Sequence, residues 1–166
     1  INVPSNSGVV VLKVSNPGGG GATMACDALE CQDEAGTTFA FGESLPMPTN
    51  LELRSVAEVS DTASAVETHV SPLTEILVRA ALISEPGTGG TLSAAAVDSG
   101  KKAVRELFGL SADVDVTRVQ PIDLTDEEAV KAANGEANST AREVALLSAA
   151  FASKALADLA DGSIEG

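Results

Sequence analysis

The chain has 166 residues, 44% of them hydrophobic and only 2% aromatic, with four Phe and no Trp or Tyr. That content suffices for a core and excludes wholesale disorder, but a core of Ala, Val and Leu lacks the aromatic platforms that stack on bases and sugars. Ten Lys and Arg against 24 Asp and Glu leave a net charge of −14, which excludes the basic stripe that nucleic acid or an anionic membrane surface requires.

The acidity is shared along the chain, with 2 basic and 7 acidic residues up to position 60 and 8 and 17 beyond it. A length of this kind holds one domain or two small ones. No apolar run approaches the roughly 20 residues that span a bilayer, so membrane insertion is not expected.

In chain order, Ile1 to Gly8 reads as an extended lead-in containing Pro4. Val9 to Val14 is a β-branched strand bounded by Gly8 and Asn16-Pro17. Gly18 to Gly21 reads as a flexible turn, because no Lys-Ser/Thr follows to make it a phosphate loop. Ala22 to Cys26 is a second strand, Asp33 to Thr37 a turn, Thr38 to Phe41 a third strand, and Pro46 and Pro48 lie in a loop. Leu51 to Val59 alternates strictly and predicts a half-buried antiparallel strand with Leu51, Leu53, Ala57 and Val59 inward.

Cys26 and Cys31 are the only cysteines. They close the short loop between them as a disulfide, which places the chain in an oxidising compartment, stay as free thiols, or serve a redox or intermolecular role. With a single His they cannot complete a four-ligand zinc site.

From His69 onward the pattern turns helical. Ser71 is a good N-cap, Pro72 suits the first helical position, and Glu75 lies in the first turn. Leu73, Ile76, Leu77, Ala80 and Ala81 share one face of a helix that stops near Ser84. A second helix is predicted from Leu92 to Phe108, with Val97, Val104, Leu107 and Phe108 as its apolar face and Gly109 as its stop. The stretch Val114 to Asp123 reads as extended. Thr125 and Glu128 predict a capping box for a short helix to Asn134, and a last helix runs from Thr140 to Ala160.

Three stretches carry a family resemblance. Glu34-Ala35-Gly36-Thr37-Thr38-Phe39-Ala40-Phe41 is similar to a turn-Gly-x-Phe-x-Phe strand. Val70-Ser71-Pro72-Leu73-Thr74-Glu75-Ile76-Leu77 is similar to a helix start of the form Val-(Ser/Thr)-Pro-Leu-Thr-x-(Leu/Ile). The third is Phe108-Gly109-Leu110 leading to Asp115-Val116-Thr117 and Pro121, with Leu147-Ser148-Ala149-Ala150 in the final helix. Together these resemble bacterial exported proteins with an Ig-like β-sandwich, related to the carboxypeptidase regulatory-like domain, followed by an Ala-rich helical segment. The resemblance implies a surface or periplasmic location and a structural or binding role, with no catalytic residues to carry over.

The expectation is therefore an α+β chain: a small antiparallel β-sandwich over residues 1–66, Ig-like and complete or lacking a strand, then a four-helix Ala-rich module over 67–166. The expected role is a non-enzymatic exported subunit of a cell-surface assembly or extracellular filament. Further copies of the chain or other surface proteins are the expected partners. Val9, Val10, Val11, Leu12 and Val14 are the expected subunit contact, through N-terminal strand addition in which an extended Ile1 to Val14 completes a neighbour's incomplete sheet.

The alternative is a monomeric extracellular module binding calcium or a polysaccharide. Asp113, Asp115, Asp123 and Asp126 would then be a calcium site, since calcium takes clustered carboxylate oxygens, although solvated charge also accounts for them. His69, with Glu67 or Glu75 as an orienting acid, is the weakest candidate, a catalytic base. Asn138-Ser139-Thr140 matches a glycosylation acceptor, but Ser139 or Thr140 as a helix cap explains the pattern without any sugar and is the favoured reading.

Overall fold

The computed structural model describes residues 8–16, 21–49, 51–60, 65–86, 91–134 and 139–160, with the backbone alone at 152 and 154–160. The lead-in before Gly8, Gly18 to Gly20 and Asn138 lie outside them. In order run β1 (Gly8–Ser15), β2 (Thr23–Ala25), β3 (Glu30–Gln32), β4 (Thr38–Ala40), β5 (Ser44–Pro46), β6 (Glu52–Val59), α1 (Pro72–Ser84), α2 (Ala94–Phe108), α3 (Glu127–Ala132) and α4 (Ser139–Ala160). The class is mixed α+β. Among the described residues the strands form three two-stranded sheets, β1–β6, β2–β5 and β3–β4.

The chain divides into two compact units, each discontinuous in sequence. One comprises residues 1–14 and 52–120, the other residues 15–51 and 121–166. The boundary drawn from the sequence at residues 66 and 67 falls inside the first unit. The reason is local: the segment after β6 is tied down there, with the His69 N–H donating to the Thr117 carbonyl (2.8 Å).

In the first unit α1 packs against both β6 and α2. Leu73, Leu77, Val78 and Ala81 of α1 are buried with Val56, Val97, Val104 and Val116. Burial on two sides explains why Val78 joins the core and why Ser55, Val56 and Ala57 are all buried. The simple alternation expected of β6 holds only where one face meets solvent.

On α2 the buried stripe is Ala96, Val97, Gly100 and Val104, while Leu107, expected inward, is 67% exposed. Gly100 explains the change. A Cβ there would stand 2.6 Å from the Leu77 carbonyl oxygen and 3.3 Å from the Ala81 Cβ, so the helices approach through a residue with no side chain. The Gly109 stop is as expected: it sits at φ 65° with its N–H on the Arg105 carbonyl, a left-handed conformation that favours Gly.

In the second unit Met24 pairs with Leu45 across β2–β5 and Cys31 with Phe39 across β3–β4. Helix α4 packs against β3, and Cys26, Ala28, Leu45, Ala133, Val144 and Ala145 are buried. Strands β3 and β5 occupy stretches read from the sequence as a disulfide loop and a Pro-containing loop. Helix α3 is capped by Asp126, whose side chain accepts from the N–H groups of Glu128 and Ala129. The Thr125 hydroxyl expected in that role bonds Asp123 instead (2.6 Å).

A candidate interaction surface on the β1–β6 sheet

The start of α1 is built as the sequence implies. Ser71 caps it, its hydroxyl accepting from the Thr74 N–H while the Thr74 hydroxyl accepts from the Ser71 N–H, with Pro72 at the first position. This box does more than cap. The Thr74 hydroxyl donates to the Arg54 carbonyl of β6 (2.8 Å), and the next side chain, Glu75, accepts from the Arg54 N–H (2.9 Å). Two residues on, the Thr68 hydroxyl lies 3.0 Å from the Val56 carbonyl and 2.9 Å from the Ser55 hydroxyl. Side chains from the α1 entry thus take the places a neighbouring strand would fill at Arg54 and Val56.

Glu75 is held hard. Its carboxylate accepts from Arg54 Nε (3.0 Å) and Nη2 (2.7 Å) and from Arg79 Nε (2.7 Å). Burial pushes its pKa up, but the Arg54 and Arg79 hydrogen bonds outweigh that and lower it to about 2.

The opposite edge of the sheet is different. The Asn16 N–H donates to the Leu51 carbonyl (3.2 Å) at the mouth of two strands of eight residues each. Antiparallel pairing counted back from that bond sets Val14, Leu12 and Val10 opposite Leu53, Ser55 and Ala57 as the hydrogen-bonded pairs. Residues 54 and 56 must then face away from β1, which is where the α1 side chains meet them. By the same alternation Val9, Val11 and Lys13 direct their N–H and C=O groups to the outer edge of β1. Among the described residues no side chain seals that edge as Thr74 and Glu75 seal the other. Val11 is 39% and Val14 46% exposed, Val9, Val10 and Leu12 are half-buried, and Lys13 reaches across its own sheet to Glu52 (3.0 Å).

The same unit carries a polar cleft of about 220 Å³ lined by Glu58, Glu67, Lys101, Asp115, Thr117 and Arg118, among others. Lys101 bridges Glu58 (2.9 Å) and Asp115 (3.2 Å). Burial alone would depress the lysine, but these two carboxylates hold its pKa above the ordinary value. Asp115 is half-buried, which raises its pKa, yet its bonds from Thr117 and Lys101 outweigh that and keep it low. Lys101 and the carboxylates of Glu58 and Asp115 thus satisfy one another.

Each of the four aspartates proposed as calcium ligands has a partner near it in sequence or an ion pair. Asp113 accepts from the Ser111 hydroxyl, Asp115 serves Lys101 and Thr117, Asp123 accepts from the N–H and hydroxyl of Thr125, and Asp126 caps α3. Among the described residues no three His, Cys, Asp or Glu come together as a metal would need. The segment expected to be extended instead folds into turns, with Val114 N–H on the Ser111 carbonyl and Arg118 N–H on that of Asp115. Such turns spend carboxylates on nearby N–H and hydroxyl groups.

His69 Nε2 stands 3.6 Å from Glu67 Oε1. Cys26 and Cys31 form a disulfide with a Cα separation of 5.8 Å.

No protein-family model, curated protein or solved structure matches the chain. The Arg54–Glu75–Arg79 cluster and the Lys101 bridge escaped the sequence reading. One signal was available: Glu75 interrupts the apolar run from Leu73 to Leu77, and a carboxylate so placed needs a partner. The identity of that partner, 21 residues earlier, was not legible.

Proposed function

We propose that this chain is a non-enzymatic exported subunit that assembles at a cell surface or into an extracellular filament by accepting an extended strand along the outer edge of β1. The observation that carries the reading is the asymmetry of the β1–β6 sheet, sealed by side chains at Arg54 and Val56 and, among the described residues, bare along Val9, Val11 and Lys13. A bare edge offers backbone groups to an incoming strand, and its β-branched side chains suit that geometry. The Cys26–Cys31 bridge favours an oxidising, exported setting. Among the described residues no helix is long and apolar enough to cross a membrane. Monomeric calcium binding has less support, since the four aspartates are already engaged.

The edge permits a clean test. Val11 directs its N–H outward, so Val11→Pro removes a donor from the bare edge and leaves the ladder to β6 in place, whereas Leu12→Pro breaks that ladder. Negative-stain microscopy with light scattering is expected to show assemblies for the parent protein and monomers for Val11→Pro, with folding retained. A parent protein that stays monomeric, or a folded Val11→Pro that assembles normally, overturns the proposal.

A further inference from the structure

The outer edge of β1 fits a copy of itself. Thr74, Glu75 and Thr68 occupy the β6 side of the sheet, so among the described residues the open side is β1. Two β1 strands set antiparallel about Val11 direct the N–H and C=O groups of Val9, Val11 and Lys13 at each other. Val11 then faces Val11, Val10 faces Leu12, Val14 faces Gly8 and Val9 faces Lys13. Apolar and β-branched pairs of this kind stabilise a sheet. Lys13 selects the register. Sliding one way brings the two lysines together, until like charges stand directly opposite, which is destabilising. Sliding the other way carries Val11 and Lys13 past Gly8, where β1 begins. Centring on Val11 avoids both.

Charge permits the contact at this edge. A net charge of −14 on each copy opposes self-association in general, yet no Asp or Glu precedes Asp27 in the chain. The acids of the sheet itself are Glu52 and Glu58. Each is met by a lysine, Glu52 by Lys13 (3.0 Å) and Glu58 by Lys101 (2.9 Å). We propose that the strand received along β1 is β1 of a second copy, antiparallel and centred on Val11. This rests on the reading that the edge accepts a strand, and names that strand. The two sheets join in the order β6–β1–β1–β6 and cover Val11, which is 39% exposed in one copy. The same patch serves both copies and the contact closes on itself, so a pair is the unit from which any larger assembly grows.

Thiol cross-linking of the full chain reads the register directly, because Cys26 and Cys31 are bridged to each other. Residues of a hydrogen-bonded antiparallel pair stand about 5.5 Å apart at Cα, within reach of a disulfide. The two Lys13 positions lie roughly 13 Å apart along the strands, out of reach. Mild oxidation is therefore expected to convert Val11→Cys to a covalent species of twice the 16.7 kDa chain mass. Val9→Cys alone and Lys13→Cys alone are expected to stay at the single-chain mass, and an equal mixture of the two to form the linked dimer. Light scattering on the parent separates the ways to fail. A parent that associates while folded Val11→Cys does not cross-link overturns this proposal and leaves the edge free for another strand. A monomeric parent overturns the edge reading as well. Cross-linking of Lys13→Cys as complete as that of Val11→Cys marks chance collision and also overturns the proposal.

Discussion

Glu75 shows how one side chain joins two elements. Its carboxylate meets the backbone and guanidinium of Arg54 on β6 and the guanidinium of Arg79 one helical turn on. Its folded pKa of about 2 lies below its ordinary 4.5. The unfolded chain therefore binds the proton more readily, so the stability Glu75 confers is present above the ordinary value and is lost as pH falls from about 4.5 toward 2. Glu75→Gln is expected to cost about 2 kcal/mol or more at pH 7, because removing one partner of a buried pair strands the other. It is also expected to flatten the dependence of stability on pH in that window. Urea unfolding at pH 7, 4 and 3 checks both; parallel losses for the parent and the variant would show that the acid sensitivity resides elsewhere.

At the scale of elements, local signals were legible and distant ones were not. Ser71-Pro72 marked the start of α1 because a cap and a first-turn Pro act within four residues. Gly109 marked the end of α2 for the same reason. The cap of α3 was read one residue early, since Thr125, Asp123 and Asp126 compete as acceptors and only the folded turn selects among them. Strands β3 and β5 span three residues each, too few for alternation, and exist through pairings made elsewhere in the chain. The inward face of α2 was misjudged because hydrophobicity favours Leu107, whereas close approach of the helices favours Gly100.

That approach gives a prediction whose sign opposes helix propensity. Ala is a better helix former than Gly by about 1 kcal/mol, yet Gly100→Ala places a Cβ against the Leu77 carbonyl. Overpacking of this kind costs about 1–3 kcal/mol, so a fall of several degrees in melting temperature is expected. A rise would mean that the two helices are not in close contact at this position.

At the scale of the whole molecule, the α+β class and the four helices were readable from periodicity, but the partition into units was not. Residues 15–51 form a contiguous insertion between the strands β1 and β6, and their unit is completed only by residues after 120. Neither unit is therefore finished from one stretch of nascent chain. β1 must wait for β6, some forty residues later, before its hydrogen-bonding groups are met, and the disulfide-bearing segment must wait for α4. Closing so long a loop is slow relative to forming a local hairpin. The interruption is also removable in principle: joining Val14 to Leu53, its hydrogen-bonded partner, through a two-residue Asn-Gly turn makes the distant strands a simple hairpin. A chain of residues 8–14, the turn and 53–120 is expected to fold faster than the parent's first unit, with helical circular dichroism retained. If it stays unfolded, the inserted segment is a required part of that unit's folding and not a passenger.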